Sequence, residues 1–285
     1  MKKENFRYLE SLRVRWAEVD MQKIVFNVHY LMYVDTAIAG YWRALALPYS
    51  DTMADLEGDL FVRKSSIEYF ASAEYDDRLE VGLRCARMGN SSMTFEAAVF
   101  RGEETLVTAE LVYVFAHPQE HKSRPIPALL RHTLESFEAG EPMAEVVRAP
   151  WGEGKAAIAA LRSQVFVEEG GKPSSWVEDD ADPLAEHHFL RNRLGRCVGA
   201  ARLVRHPGDV GHLSHLAVLR GVRGSGFGAQ LMRAMEDRAR SQGIKQLTLE
   251  APTSCAKFFE SAGFAAQGDP KDIEGRAHQP MVRML

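Results

Sequence analysis

Along the first half of the chain, apolar and polar positions change period. Arg13-Val14-Arg15-Trp16 alternates at every residue, which predicts a strand. From His29 the period lengthens. Tyr30, Val34, Ala37, Ile38, Tyr41 and Leu45 recur at three- and four-residue steps, one face of an amphipathic helix that Pro48 stops. Strand-like runs follow at 60–70, 79–88, 93–100 and 105–116, with turns at Asp76-Asp77, Gly89-Asn90 and Gly102. One long helix against an antiparallel sheet of about five strands is an α+β layout.

The second half alternates between periods instead. Strands are predicted at 146–148, 188–194, 197–204, 213–218, 246–250 and 279–285, with a hairpin through Gly195. Helices are predicted at 155–167, 226–242 and 254–262, giving a mixed α/β pattern. Between the halves lie a polar, proline-bearing stretch at 118–127, a short helix at 128–137, and the breaker Ala139-Gly140-Glu141-Pro142. We place the boundary near Gly140, giving domains 1–140 and 141–285. No 20–50-residue period marks a repeat array.

The length of 285 residues agrees with two domains of roughly 150 residues each. A net charge of −4 gives no electrostatic basis for nucleic acid as the main partner. No apolar run approaches the roughly 20 residues that cross a bilayer, and the first residues lack the apolar core of a secretory signal. The cysteines are Cys85, Cys197 and Cys255, with no pair at metal-ligand or redox spacing. We therefore expect reduced thiols, a cytoplasmic location, no membrane partner and no metal site.

Asp20 precedes the helix that starts near His29, and it is expected to end a strand. A carboxylate there sits near helix N-terminal amides, and such amides polarise a thioester carbonyl. The carboxylate then attacks the carbonyl or activates a water. On spacing alone, turn capping is the simpler reading of Asp20. The segment Val14–Ala37 nevertheless resembles the signature of 4-hydroxybenzoyl-CoA-type hot-dog thioesterases, with Glu18, Asp20, Val25 and Tyr30 at the family's positions. Tyr69–Asp77 looks like that family's strand leading to "YDD", and Ile126-Pro127-Ala128 like its ending. The likeness spans most of residues 6–137. It implies an N-terminal hot-dog fold, acyl-CoA hydrolysis with Asp20 as the catalytic carboxylate, and a homo-oligomer with its site at the subunit interface. One departure stands out: the family's glycine three residues after the aspartate is Lys23 here. His29, Ser65 and Ser66 read more simply as helix-start and strand residues, and no serine sits in a GxSxG elbow.

In the second half, Arg223-Gly224-Ser225-Gly226-Phe227-Gly228 opens a helix after a strand. Amides in such a glycine-rich turn bind phosphate, and Arg220 and Arg223 add positive charge. A lone GxG is equally readable as a flexible helix start. The surroundings resemble GNAT acetyltransferases. Arg223, Gly226 and Gly228 match the RxxGxG pyrophosphate motif, and Ala256–Phe264 resembles "A..FYE..GF". Leu161–Glu169 and Asp179–His187 match "LR..VF..E" and "D..A.H" of one subgroup. The likeness spans most of residues 144–285 and implies a C-terminal α/β GNAT fold. It implies that acetyl-CoA is held by Arg223, Gly224, Gly226 and Gly228, with backbone groups of Leu216, Ala217 and Val218 on its pantetheine. It also implies acetyl transfer to an amine. Phe259 stands where the family's thiolate-protonating tyrosine is usual. Candidate bases are His187, His215 and Glu250, with His278 near the site; each reads more simply as structural. The expectation is thus a cytoplasmic enzyme with two activities on CoA thioesters. The alternatives are a CoA-sensing C-terminal domain that regulates the thioesterase, favoured by Phe259, and a ligand-binding oligomer with an inactive thioesterase, favoured by Lys23.

Overall fold

The two periods give two architectures. The structure, a computed structural model, describes residues 1–285 and divides into Met1–Met143 and Ala144–Leu285. In the first unit, strands β1 (Tyr8–Arg13), β2 (Asp59–Tyr69), β3 (Arg78–Met88), β4 (Ser92–Arg101) and β5 (Glu104–Ala116) form one antiparallel sheet in the order β1-β3-β4-β5-β2. Helix α1 (Val28–Ala44) buries Tyr30, Val34, Ala37 and Tyr41 of the predicted stripe, leaves Ile38 half-buried, adds the unpredicted Tyr33, and packs on β3, β1 and β4. The ring of Tyr41 meets Phe95 of β4 and Phe137 of α3 (Ala128–Glu138) edge-on, at 5.7 and 5.0 Å. Such pairs contribute about 0.5–1.5 kcal/mol beyond area burial. This is the hot-dog arrangement of a long helix wrapped by an antiparallel sheet.

Two local expectations are corrected. Arg13-Val14-Arg15-Trp16 is not a strand: β1 ends at Arg13, and a 3-10 turn covers Trp16–Glu18. Its alternation arises because Val14 is a buried plug, bonded through N and O to Asp77 and Asp76, whereas Trp16 is exposed. Helix α1 stops at Ala44, ahead of Pro48, where Ala46 takes φ 58°, and Pro48 is instead the N-cap of the short helix α2 (Tyr49–Asp55).

In the second unit, α4 (Trp151–Arg162) follows strand β6 (Ala144–Ala149) and runs on into a π-helical turn, Ser163–Glu169. Strands β7 (Glu186–Asn192), β8 (Cys197–His206) and β9 (Val210–Val218) come next, then α5 (Phe227–Ser241), β10 (Gln246–Pro252) and α6 (Ala256–Ser261). Strands β11 (Ala265–Ala266), β12 (Lys271–Ile273) and β13 (Arg276–Met284) close the chain. The sheet order is β11-β13-β10-β9-β8-β7-β6, with β12 paired to β13. Only β9 and β10 are parallel, as the α5 crossover between them requires. One face packs Leu203, Leu213, Leu247 and Leu249 against Met232, Met235 and Ala239 of α5. No helix of the chain is long and apolar enough to cross a membrane.

The opposite face buries charge. Arg162 and Asp182 are fully buried and joined at 2.9 and 3.0 Å, and Arg202 reaches Asp182 at 3.0 Å. His187, stacked on Trp151 at 4.8 Å, contacts the Asp182 carbonyl through Nε2 at 2.9 Å. Arg162 of the "LR" motif and Asp182 and His187 of "D..A.H" are therefore parts of one buried network. Burial pushes the Asp182 carboxyl up, but the Asp179 amide and the two arginines override it and hold it below the ordinary range. Removing one partner of a buried ion pair typically costs about 3–5 kcal/mol. Asp182→Asn is therefore expected to lower the unfolding free energy by about that much, read by urea titration. Because the folded carboxyl titrates below its unfolded value of about 3.9, its contribution is complete above that pH and fades as the pH falls further. An Asn variant as stable as the native chain at pH 7 contradicts this reading.

Candidate functional site

In the N-terminal unit, Asp20 follows the 3-10 turn and one isolated bridge, Val19 to Val25, rather than a strand. The loop closes on itself: Asp20 N donates to Ile24 O and Lys23 N to Asp20 O, both at 2.9 Å. Asp20 Oδ1 accepts the Gln22 amide at 2.7 Å, and Oδ2 carries no hydrogen bond. Asp20 lines a cleft of about 490 Å³ with Ile24, Phe26, Asn27, Tyr30, Tyr69 and Phe70. At the start of α1, the amides of Asn27 and Val28 have no partner within the chain. The Asp20 carboxylate thus shares its cleft with Asn27, whose free amide opens the helix, an arrangement suited to thioester hydrolysis.

Two residues hold this loop. Glu18, 3% exposed, accepts the Arg15 amide and guanidinium at 2.7 and 2.6 Å and the Tyr33 hydroxyl at 2.8 Å. It ties the turn before Asp20 to α1. Burial pushes its carboxyl up, but these bonds outweigh burial and lower it. Lys23 sits at φ 65°, in the left-handed region. That conformation, rather than crowding, is what a glycine serves at this position.

In the C-terminal unit, β9 and β10 pair only from Val210 to His212 and then separate. The separation follows a bulge in β9: Ala200 faces Ala217, yet Arg202 faces Ser214, so β9 holds an extra residue. His215 lies in that bulge with φ 53°. Leu216, Ala217 and Val218 follow. Ala217 and Val218 pair with β8 on one side, and the strand's side toward β10 is open.

Four residues separate β9 from the glycine-rich turn, which opens at Arg223. Gly224 and Gly226 have φ of 88° and 85°, and a Cβ at either would meet open space. The amides of Gly224, Ser225, Gly226, Phe227 and Gly228 have no partner within the chain. A run of free amides at a helix start has the geometry that suits an anion. Gly228 serves packing instead, since a Cβ there would lie 3.2 Å from the Phe258 ring. Arg223 is committed elsewhere: Nε donates to Val218 O at 2.8 Å, and Nη1 and Nη2 grip Glu169 at 2.5 and 2.8 Å. Its charge is neutralised, so it clamps the turn to the strand end rather than adding a free cation. Nothing in the sequence pointed to Glu169 as its partner.

The candidate bases separate. His187 belongs to the buried network. His215 lies between Phe166 and Trp176, and burial pushes it down to about 3, so it is uncharged at neutral pH. His278 is buried, its Nδ1 2.9 Å from Arg276 O. Glu250 is half-exposed at the point where β9 leaves β10, 3.4 Å from His212. Phe259 is buried in the core beside Phe258 and Phe264, and Phe258 is the ring that touches the glycine turn.

Comparison with known proteins agrees with both folds. The model of the acetyltransferase (GNAT) domain matches residues 162–285, and that of the thioesterase superfamily matches residues 22–108. A provisionally named acetyltransferase of Bacillus subtilis is 33% identical over 125 residues, covering 43% of this chain and 84% of its own. The acyl-CoA thioester hydrolase YbgC of Escherichia coli is 28% identical over 117 residues, 41% of this chain and 87% of its own. A crystal structure of a provisionally named N-acetyltransferase from Lactobacillus plantarum is 25% identical. It covers 50% of this chain and 99% of its own, with a TM-score of 0.48. The chain therefore belongs to the GNAT acetyltransferases through its C-terminal half, and its N-terminal half has the hot-dog fold, with residues 22–108 similar to the thioesterase superfamily.

Proposed function

We propose that this protein carries two activities on CoA thioesters, one in each unit, with functional domains at 1–140 and 141–285. The N-terminal domain hydrolyses an acyl-CoA to free acid and CoA. Asp20 is its nucleophile or general base, and the Asn27 and Val28 amides polarise the carbonyl. The supporting observation is the unbonded Asp20 Oδ2 in a cleft that Asn27 also lines, with the free Val28 amide next in the chain. The domain works as a homo-oligomer. Supporting this, β2 is an edge strand, and Val62, Tyr69 and Phe70 are exposed along and beside it. Free thiols at Cys85, Cys197 and Cys255 suit a cytoplasmic protein.

The C-terminal domain binds acetyl-CoA and transfers acetyl to an amine. The observation that carries this is the row of unpartnered amides from Gly224 to Gly228 beside the open edge of β9. The amides take the pyrophosphate, and Leu216, Ala217 and Val218 offer backbone groups to the pantetheine. Arg223 contributes by holding the turn. A second reading, a CoA sensor that regulates the hydrolase, is favoured by Phe259, whose ring carries no proton to give a departing thiolate. Thiol release from a panel of acyl-CoAs, with and without primary amines, separates the two.

Two substitutions test the assignments. Asp20→Asn is expected to reduce acyl-CoA hydrolysis by about 10²–10⁴-fold while leaving circular dichroism unchanged. Retention of more than about a tenth of the activity removes Asp20 from the chemistry. At Gly226, Ala and Glu share the left-handed strain of roughly 1–2 kcal/mol, but only Glu adds a carboxylate at the nest. In a 141–285 fragment studied by titration calorimetry, Gly226→Glu is expected to abolish acetyl-CoA binding and Gly226→Ala to weaken it only partly. Equal affinities for the Ala and Glu variants defeat the pyrophosphate assignment.

A further inference from the structure

Past their last shared rung, β9 and β10 form two arms that pair with β8 and β13 but not with each other. Two loops rejoin these arms by another route, and no step above uses their contact. One is the segment 163–176, which runs on from α4 through the π-helical turn to a 3-10 turn at Ser174–Trp176. It sits on the β9 arm. The rings of Phe166 and Trp176 lie 5.8 and 5.7 Å from that of His215 and 5.6 Å from each other. The other is the β12–β13 hairpin, which belongs to the β10 arm. His278 of β13 pairs with Pro252 at the far end of β10, and with Lys271 of β12 on its other side.

Each loop supplies one cation to the backbone of the other. Lys172 Nζ donates to Ile273 O at 3.3 Å and pairs with Glu274 at 3.4 Å. Arg276 Nη2 donates to Gly170 O at 2.5 Å. The Lys172 side chain is only 9% exposed, and its ammonium stands 4.6 Å from the centre of the Trp176 ring. A lysine is almost never buried so far without partners. Here a carbonyl, a carboxylate and a ring face share its charge. Arg276 is exposed, so its contact is screened by solvent and opens readily. These joints lie on the α4 side of the sheet, opposite α5, where the Arg162–Asp182–Arg202 network is found.

We propose that Lys172 and Arg276 set the size of the acceptor. They latch the segment 163–176 to the β12–β13 hairpin across the gap, and a bulky acceptor reaches the acetyl group only when the latch opens. This rests on the acetyltransferase reading. Under it, the cofactor lies along the open edge of β9 with its pyrophosphate at the start of α5, and α5 itself covers one face of the sheet. The acceptor is left the opposite face, and the latch crosses the gap there. Neither cation touches the acceptor; both determine specificity through the position of the two loops. The latched arrangement is the one in the structure, so a bulky acceptor meets only the open fraction of molecules. Its apparent affinity is reduced by that fraction. A small amine passes the closed latch and is indifferent to it.

The test uses the full chain, saturating acetyl-CoA and two probes: methylamine, and a short peptide with a blocked N-terminus and one internal lysine. Acetylated product is measured by mass spectrometry. Lys172→Met keeps an apolar stem over Trp176 and removes the charge, and Arg276→Gln changes an exposed residue on the other loop. In each variant kcat/KM for the peptide is expected to rise by about 10-fold, through KM, as the open fraction grows. The value for methylamine is expected to change by less than about twofold, because a small amine is not taxed by the closed state. Hydrogen exchange at 170–176 and 271–276 is expected to quicken by about 10-fold in both variants, with α5 unchanged. Exchange that stays at the wild-type rate in either variant overturns the latch. A peptide kcat/KM that fails to rise, or that rises equally with that of methylamine, overturns the size filter and leaves the transferase standing. Wild-type protein that binds acetyl-CoA and acetylates neither probe overturns the transferase reading and the size filter with it.

Discussion

The C-terminal unit depends on one break in hydrogen bonding, the parting of β9 and β10 after His212. A buried strand edge without partners is costly, so the break persists only because other contacts enforce it. The bulge at His215 turns the strand, and Phe166 and Trp176 hold the bulged ring in place. Arg223 then binds the carbonyl of the last strand residue, Val218, and Glu169 fixes Arg223. The open edge, the nest of amides and the His212–Glu250 pair all follow from that geometry. Beneath it, the Arg162–Asp182–Arg202 network gives a stiff polar floor where the other face of the sheet has an apolar one.

The N-terminal unit solves a similar problem with a single carboxylate. The chain between β1 and α1 has little regular structure, yet it must present Asp20 beside a helix start. Glu18 makes this possible by satisfying an amide, a guanidinium and a phenol at once from a buried position. The next-but-one residue is then left with a free oxygen in the cleft. Two acidic residues in one short loop thus have opposite duties, set by burial and not by residue type.

Backbone conformation explains departures that residue identity leaves obscure. Lys23 replaces a glycine yet keeps a glycine's φ, a strain of about 1–2 kcal/mol that the two hydrogen bonds of its loop help to hold. Of the three glycines in the turn after β9, Gly224 and Gly226 are there for their positive φ, and Gly228 for the closeness of Phe258. A motif that looks uniform in sequence contains two different physical requirements.

The sequence alone determined the two architectures, most of the helix stripe on α1 and the glycine turn before α5. All of these are local: period, turn chemistry and helix starts are written in neighbouring residues. It misread Arg13–Trp16 as a strand, because a buried Val14 and an exposed Trp16 alternate for reasons unconnected with pairing. It also read Arg223 as a free cation, since Glu169 lies far away in sequence. Only the tertiary structure decided which histidine meets which carboxylate. His187 and His215 went into buried packing, whereas His212 and Glu250 met just past the last parallel rung. Contacts between distant segments depend on register and burial, and a one-residue bulge in β9 changes which side chains face one another. That dependence is long-range, so no window of sequence contains it.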